Sequence, residues 1–388
     1  MKIKISMFYK LALYAAIIAQ LCIFTGLPLK INELVSFGVF LIASTNILAF
    51  VVLLIDNKKE TKTNKETLRI CLLALICVFS VFLSSAPIGD GVKKIVLFLQ
   101  LPVYFIVSKK IDRIQAREFI YGVNLCYPVL FAFFANSSFS NRYTSAWGET
   151  VHENLTLGYG NPNETGIYIM LCLIVLISAI FYYKTIKMKM ICLVETVYMG
   201  VLLLQTDCRA AIALTAAVLL ATVFCKRISF GRFARNIIVF FPLGFVLLLL
   251  ALPGLGDMKF LGSALDTGRS SLYLNYLDNL TLQKFLFGDF VEYPLNNMHN
   301  AYLTIAASLG IFVGIVFTAI LYLAYKRCCM VSLQKKENMV LLLGLTAILI
   351  HSAVEAAVLV NGSVYAASVF LLYYLVISCD EIAQNKVN

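Results

Sequence analysis

The chain has 388 residues, of which 61% are hydrophobic and only 14% are charged, and its mean hydropathy is +0.86. Soluble domains carry about 25% charged residues, so this composition excludes an ordinary soluble globular protein and indicates a chain whose solvent is lipid. The net charge of +11 is spread over short basic clusters between apolar runs, which is typical of membrane topology signals and argues against nucleic-acid binding.

Long apolar runs predict transmembrane α-helices, because about 20 helical residues cross the hydrocarbon core of a bilayer. We therefore predict an all-α, polytopic membrane protein that forms one domain over 1–388, with about twelve spans. We expect the first span to be retained rather than cleaved as a signal peptide, because no small-x-small site follows it. In chain order, the predicted spans are 11–28, 34–55, 70–87, 92–108, 119–135, 164–183, 191–206, 210–225, 237–255, 301–325, 339–359 and 363–379.

Positive charges set the predicted orientation. With the N-terminus inside, about three quarters of the 32 lysines and arginines fall in cytoplasmic segments, in agreement with the positive-inside rule. Both termini are therefore predicted to be cytoplasmic. The inside loops are short, whereas two outside segments, 136–163 and 256–300, are long. Because long loops in a compact fold are usually functional, we expect the chemistry at the outer face.

Both outer loops carry signals for helices. Apolar residues at spacings of three and four between Ser270 and Asp289 predict an amphipathic helix that lies at the membrane interface. In the other loop, Asn161 followed by Pro162 predicts a helix start, with Asn161 as the cap and Glu164 three residues after it. We therefore expect short helices in the two outer loops.

The chain has three histidines, His152, His299 and His351, and the first two fall in the outer loops. His299 begins the tenth predicted span, where an imidazole can accept a proton from a sugar hydroxyl; the alternative is a surface histidine that caps a helix. His351 and Glu355 lie four residues apart in the eleventh span and share one helix face. Because charge inside a bilayer is costly, this pair is predicted to face a polar cavity or to form an interhelix hydrogen bond.

Three arginines, Arg142, Arg209 and Arg269, are placed outside, where topology disfavours positive charge. A guanidinium group matches phosphate oxygens, so this set predicts binding of a lipid-linked pyrophosphate, although each arginine alone could anchor a lipid headgroup. The chain has no DxD pair and no P-loop, which argues against metal-dependent nucleotide-sugar chemistry and against an ATPase. The cysteines form no CxxC pair, so neither a disulfide framework nor a metal site is predicted.

Four passages, in this order, resemble the family of O-antigen ligases and O-antigen or capsular polysaccharide polymerases. The likeness covers roughly residues 150–360, and the second passage departs from the family's [ST]-x-[ST]-R hairpin at Cys208. The passages are Gly160 to Gly166, Gln205 to Ala211, Gly268 to Ser271 with the later Leu286-Phe287-Gly288, and Met298 to Leu303 with the later Gly310.

The resemblance implies an enzyme that acts at the periplasmic face of the bacterial inner membrane on glycans linked to undecaprenyl pyrophosphate, without metal or other cofactor. A polymerase moves the growing glycan from its lipid carrier onto a hydroxyl of the next lipid-linked repeat. A ligase moves the finished chain onto lipid A–core. Membrane lipid, a chain-length regulator and a flippase are the partners that it implies.

The resemblance also implies roles for particular residues. Arg209 and Arg269 would bind the leaving pyrophosphate, and His299 would orient or deprotonate the acceptor hydroxyl. The further residues predicted at the substrate site are Arg142, Asn163 and Glu164.

A polymerase is the favoured prediction, and two alternatives stay open. One is an O-antigen ligase-type glycan transferase, which has the same site logic. The other belongs to a different class, a lipid-glycan flippase or other transporter. A transporter would show repeated halves and several charged residues deep in the membrane. The chain shows no repeat, and we place only His351 and Glu355 deep.

Overall fold

The structure is a computed structural model. It describes residues 5–57, 65–84, 88–110, 113–136, 142–147, 150–159, 161–224, 232–252, 259–260, 263–264, 269–290, 298–330 and 335–355. The predicted twelfth span, 363–379, lies outside these residues.

The described chain is almost entirely helical. Its helices are α1 (Ile5–Leu29), α2 (Asn32–Asn57), α3 (Lys65–Leu83), α4 (Ile88–Lys110), α5 (Arg113–Asn124), α6 (Cys126–Asn136), α7 (Pro162–Tyr182), α8 (Ile186–Gln205), α9 (Arg209–Phe224), α10 (Arg232–Ala251), α11 (Arg269–Asp278), α12 (Leu282–Phe287), α13 (Ala301–Leu309), α14 (Ile311–Met330) and α15 (Lys336–His351). The strands are β1 (Arg142–Trp147), β2 (Thr150–Leu155), β3 (Lys259–Phe260) and β4 (Ser263–Ala264).

Within the described residues, four helical stretches are long and apolar enough to cross a membrane: Met7–Leu29, Asn32–Val52, Arg117–Asn136 and Pro162–Tyr182. Shorter apolar stretches are Leu68–Leu83, Arg209–Phe224, Val239–Ala251 and Ile311–Lys326. Their outward faces carry exposed apolar side chains such as Phe40, Phe79 and Phe82, a surface that suits lipid tails. The apolar helices indicate a membrane protein, and the count of twelve spans stays a prediction.

Helices α7 and α15 form the centre of the molecule. All residues of α7 from Thr165 to Ala179 are buried, and α7 contacts α8, α9 and α15. Gly344 of α15 packs so closely on Ile174 of α7 that a Cβ atom would overlap the isoleucine side chain. The hydroxyl of Ser178, near the end of α7, donates to the carbonyl oxygen of Glu337 at the start of α15, at 3.1 Å. The two helices therefore run in opposite directions.

A buried polar cluster joins the C-terminal end of α7 to the start of α15. Arg117 of α5 donates to Asn338 Oδ1 at 3.1 Å and to the hydroxyl of Tyr121 at 3.2 Å, and its guanidinium lies over the ring of Tyr182. Tyr121 shares a hydrogen bond of 2.7 Å with Ser178. These residues fix α5, α7 and α15 to one another at this end.

The tenth predicted span, 301–325, is not one helix. It breaks at Gly310, whose φ of +93° suits glycine, and α13 and α14 meet there. A Cβ atom on Gly310 would overlap the backbone of Leu286, and the amide of Asp289 donates to the carbonyl oxygen of Ala307 at 2.8 Å. The end of α12 and the residues after it, Leu286 to Asp289, therefore pack against this break through their backbone atoms.

The eleventh predicted span, 339–359, is described as far as Glu355. Helix α15 runs to His351, and a turn follows in which the amide of Glu355 still donates to the carbonyl oxygen of His351 at 2.9 Å. The amide of Ala301 at the start of α13 donates to the carbonyl oxygen of Ser352 at 2.8 Å. His351 therefore lies at the last position of α15, and Glu355 lies one turn beyond it. The fifth predicted span, 119–135, falls within the apolar helical stretch Arg117–Asn136, in which the amide of Leu125 between α5 and α6 still donates to the carbonyl oxygen of Tyr121 at 3.2 Å.

The outer segments differ from the prediction in detail. In 136–163 the structure has an antiparallel hairpin rather than a short helix, with Arg142 paired to Leu155 and Trp147 to Thr150. The tyrosine, threonine and tryptophan of β1 and the threonine and valine of β2 favour extended chain. In 256–300 the single amphipathic helix is instead α11 followed by α12, and the side chain of Thr281 caps α12.

Candidate functional site

Candidate residues from four parts of the chain lie at the end of the bundle where α7 begins. They come from the hairpin between α8 and α9, the start of α11, the residues before α13 and the residues after α15. The Arg117 cluster lies at the opposite end of α7, which is about 30 Å long.

The hairpin between α8 and α9 is fixed to the first turns of α7. Asp207 turns the chain with a left-handed φ of +52°, and the amide of Cys208 donates to the hydroxyl of Thr206 at 3.2 Å. Gly166 of α7 leaves room for this hairpin, since a Cβ atom there would overlap Cys208. The thiol of Cys208 contacts the carbonyl oxygen of Asn163 at 3.8 Å. Two of the predicted motifs, 160–166 and 205–211, are therefore in direct contact.

The start of α7 follows the prediction. Asn161 is the cap, with its side chain accepting from the amide of Asn163 at 2.9 Å, and Pro162 is the first helical residue. The hydroxyl of Thr165 donates to the carbonyl oxygen of Thr156, which follows β2, at 2.7 Å. The outer hairpin segment is thereby attached to the same end of α7 as the candidate residues.

Cys208 is buried and is a poor nucleophile. Burial raises the pKa of its thiol to about 12, and the nearby carboxylates of Glu355 and Asp207 act in the same direction, against Arg269. Thiolate, the reactive form, is therefore negligible near neutral pH. This environment disfavours nucleophilic chemistry at Cys208.

Two arginines begin two helices at this end. Arg209 is the first residue of α9, and its Nε lies 3.9 Å from Oδ1 of Asp207. Arg269 is the first residue of α11 and lies close enough to act electrostatically on Cys208, His351 and Glu355. Helices α7 and α13 also begin at this end. Helix N-termini favour anions, so the arginines and the helix starts act in the same direction on a bound anion.

The segment before α13 presents His299. This residue has a left-handed φ of +44°, which is uncommon outside glycine and is tolerated by histidine more often than by most residues. Asn300 then caps α13, and its Oδ1 accepts from the amides of Tyr302 and Leu303, each at 3.0 Å. The turn leaves the His299 side chain 49% exposed while its neighbour Asn300 is buried.

His299 pairs with Glu355. Its Nδ1 lies 3.4 Å from Oε2 of Glu355, whose side chain is only 11% exposed. We predicted that His351 and Glu355 share one face and line a polar cavity or form an interhelix hydrogen bond. The amide of Glu355 donates to the carbonyl oxygen of His351 at 2.9 Å, which keeps the helical spacing between them. No hydrogen bond joins their side chains among the described residues, and the Glu355 carboxylate bonds His299 at the start of another helix.

Other predicted residues are placed less completely. Arg142 begins β1 and His152 lies in β2 opposite Ser145, but their side chains lie outside the described part of the structure. Glu164 lies in the first turn of α7. In the described ranges, no group of three or more His, Cys, Asp or Glu side chains could hold a metal ion.

Sequence reasoning missed two features of the site and one feature of the helices around it. The pairing of Glu355 with His299 joins residues that are 56 positions apart, and no local signal indicates it. Asn300 could have been recognised as a helix cap from its position before an apolar run. We had predicted that only His351 and Glu355 lie deep in the membrane. Glu195 is a further ionisable residue inside a predicted span, and it lies in the middle of α8.

Comparison with known proteins gives no relative: no protein-family model matches the sequence, and no curated protein is significantly similar to it.

Proposed function

We propose that this protein polymerises lipid-linked oligosaccharide repeats of an O antigen, capsule or other exopolysaccharide. It acts at the outer face of the bacterial inner membrane, with about twelve spans and both termini in the cytoplasm. The observation that carries the proposal is the His299–Glu355 pair, which lies at the same end of a bundle of apolar helices as Arg209 and Arg269. The enzyme needs no metal and no nucleotide in this scheme.

The proposed reaction is a single glycosyl transfer. The hydroxyl oxygen of the incoming repeat forms a bond to the anomeric carbon of the donor glycan. The bond between that carbon and the pyrophosphate oxygen breaks, and undecaprenyl pyrophosphate leaves with both electrons of that bond. The hydroxyl proton passes to the imidazole of His299. Each cycle lengthens the glycan by one repeat.

The His299–Glu355 pair supports the role of general base. With Nδ1 3.4 Å from the carboxylate, we assign the ring proton to Nδ1, which leaves Nε2 free to accept a proton. The carboxylate then stabilises the imidazolium that forms, as an acidic partner does for catalytic histidines in general. The imidazole is half exposed, so an acceptor sugar can reach it. A positioned base of this kind contributes about 10²- to 10⁴-fold to a rate.

The arginines and helix starts support binding of the leaving pyrophosphate. Guanidinium groups bind phosphate oxygens in a planar, bidentate manner, and helix N-termini favour the same anions. Fixed cations that face developing negative charge stabilise a transition state without reorganisation. Arg209 and Arg269, at the first positions of α9 and α11, satisfy this requirement.

The outer helices suit a substrate whose tail stays in the bilayer. Tyr273 and Tyr276 of α11 are buried against α10 and Met298, whereas Leu274 and Leu277 are exposed. A short helix with apolar side chains on its open face lies stably at the membrane interface. Because Arg269 begins this helix, a pyrophosphate that binds there would have its polyprenyl chain next to lipid.

The proposal is tested with the purified protein in lipid and one synthetic undecaprenyl-pyrophosphate repeat, without nucleotide or metal. We expect a ladder of lipid-linked oligomers from the wild type. Arg269→Ala and His299→Ala abolish the ladder. The matched controls are Lys284→Ala, which removes a cation of the same outer segment that pairs with Asp289, and His152→Ala in the outer hairpin. Both controls keep the ladder.

Three other results contradict the proposal in different ways. Transfer to lipid A–core without polymerisation identifies a ligase, which has the same site logic. Movement of the lipid-linked repeat across the bilayer without any new glycosidic bond identifies a transporter. A ladder that survives Arg269→Ala and His299→Ala shows that the polymerase site lies elsewhere.

A further inference from the structure

His351 is a buried histidine that the proposed transfer leaves unused. It is 1% exposed, at the last position of α15, and neither ring nitrogen has a hydrogen-bond partner among the described residues. Buried polar atoms in folded proteins are nearly always paired, so two unpaired nitrogens on one ring point to a missing partner. The apolar end of a helix would be more stable with a leucine in this position if packing were its only role.

Asn300 shows the same property one residue after His299. Its Oδ1 is used twice, as the cap of α13, but its buried Nδ2 has no partner in the part of the chain that the structure describes. An N-cap needs only the oxygen, and serine, threonine or aspartate would provide it. The unpaired amide nitrogen therefore adds donor capacity that the helix does not use.

Asn300 and His351 each lie next to one end of the same backbone hydrogen bond. The amide of Ala301 donates to the carbonyl oxygen of Ser352 at 2.8 Å, and Asn300 and His351 are the residues that precede this donor and this acceptor. The hydroxyl of Tyr302 donates to the carbonyl oxygen of Leu349 at 3.2 Å and fixes the same two elements. Both unpaired groups therefore lie at the junction of α13 and α15.

This junction lies deeper than the His299–Glu355 pair. His299 is 49% exposed and Glu355 11%, whereas Asn300 and His351 are 1% exposed each. Exposure thus falls from the histidine that would accept the proton to the two groups with unpaired nitrogens, and each of these lies within four residues of a member of the pair.

The available hydrogen-bonding atoms select the kind of group that fits. A neutral imidazole offers one donor and one acceptor, and the Asn300 amide nitrogen offers two donors. Phosphate oxygens only accept, so the imidazole acceptor would stay unpaired against a phosphate. A sugar hydroxyl donates and accepts, and it satisfies both kinds of atom.

We propose that His351 and Asn300 form a subsite that binds a hydroxyl group of the acceptor sugar, beneath the reactive hydroxyl that faces His299. This inference rests on the proposed polymerase function. It adds to that function a binding site for the acceptor. The two residues position the acceptor and select for its hydroxyl pattern, whereas Arg209 and Arg269 serve the donor.

The test separates donor from acceptor. The donor is a repeat on undecaprenyl pyrophosphate whose acceptor hydroxyl is methylated. The acceptor is the same repeat on a simple alkyl chain without pyrophosphate. Single transfer gives KM for each substrate, direct binding of the alkyl glycoside is measured without donor, and Tm is measured for every variant. The variants are His351→Leu, His351→Gln and Asn300→Ser, with Tyr302→Phe as the control at the same junction.

We expect His351→Leu and Asn300→Ser to raise the acceptor KM by about tenfold or more, because the site loses hydrogen bonds to the acceptor. The donor KM stays within about twofold, and Tm of His351→Leu is unchanged or higher because an unpaired polar group is removed. His351→Gln, which keeps a donor and an acceptor, shows a smaller rise in acceptor KM. Tyr302→Phe leaves both KM values unchanged.

Unchanged acceptor KM and glycoside binding in His351→Leu and Asn300→Ser overturn the inference and leave the polymerase proposal intact. An equal rise in both KM values with a lower Tm also overturns it, since that pattern indicates a structural role. If the wild type makes no transfer, the polymerase proposal fails. Glycoside binding that depends on His351 in that same protein would still support the subsite.

Discussion

Nδ1 of His299 lies 3.4 Å from Oε2 of Glu355, although the two residues are 56 positions apart and belong to the ends of different helices. His299 precedes α13 and Glu355 follows α15, and the hydrogen bond from the amide of Ala301 to Ser352 O holds these ends together. The pair is therefore a product of how α13 docks on α15, and its function can be separated from that docking by mutation.

Glu355→Gln keeps the shape of the side chain and removes its charge. We expect turnover to fall by about 10²-fold, because the imidazolium loses its negative partner, while Tm changes little. The measurement is single transfer under saturating substrates together with thermal unfolding. Glu337→Gln, at the opposite end of α15, is the control and leaves turnover unchanged. Equal turnover in Glu355→Gln and wild type would show that His299 does not need the carboxylate.

Arg117 is a structural arginine, in contrast to Arg269. Its side chain is buried among Tyr121, Tyr182 and Asn338, so Arg117→Ala leaves buried polar groups without their partner. We expect a loss of about 2–4 kcal/mol of folding free energy and a lower yield, with transfer per folded molecule close to that of the wild type. Thermal unfolding and an active-fraction count measure the two quantities. A folded variant with no transfer would show that this end of α7 takes part in the reaction.

Gly166 is the close contact that lets the 206–208 hairpin reach α7. A Cβ atom in Gly166→Ala would overlap Cys208, so we expect a cost of about 1–3 kcal/mol and a loss of transfer as Arg209 is displaced. Gly200→Ala is the matched control, because a Cβ atom there meets nothing within 4 Å, and alanine favours a helix more than glycine does.

A second substitution tests the cause of the Gly166→Ala effect. Replacing Cys208 with glycine in the Gly166→Ala background removes the atoms that overlap, and we expect it to restore part of the lost Tm. If Gly166→Ala is as stable and active as Gly200→Ala, the hairpin does not pack on α7 as closely as described.

Cys208 should resist alkylation in the folded protein. Burial holds the pKa of its thiol near 12, so at pH 8 the reactive thiolate is scarce, and the unfolded protein is the control. Iodoacetamide labelling followed by peptide mass spectrometry should modify Cys208 slowly in the folded protein and rapidly after unfolding. Because the thiol takes no part in the reaction, Cys208→Ser should keep most of the transfer activity. Rapid labelling of Cys208 at pH 8 would contradict its burial.

The sequence by itself determined the properties that depend on local chemistry. Its apolar runs set the helical, lipid-exposed character of the chain, because the bilayer requires backbone groups to be paired within a segment. Asn161 and Pro162 set the start of α7, because a capping oxygen and a fixed φ act within one turn. Arg209 and Arg269, which the charge pattern predicts to lie outside, are at helix starts in the structure.

Only the tertiary structure decided which of these residues meet. The break at Gly310 goes with the backbone of Leu286 packing against it, and the position of α13 against the end of α15 is fixed by the hydrogen bond from Ala301 to Ser352. Both contacts join residues that are distant in sequence, so hydrophobic periodicity, which extends over a few turns, indicated neither, and it predicted one continuous span where the chain breaks at Gly310. The same docking brought the carboxylate of Glu355 to the ring of His299. Local signals thus specified the helices and their caps, whereas long-range packing specified the partners within the site.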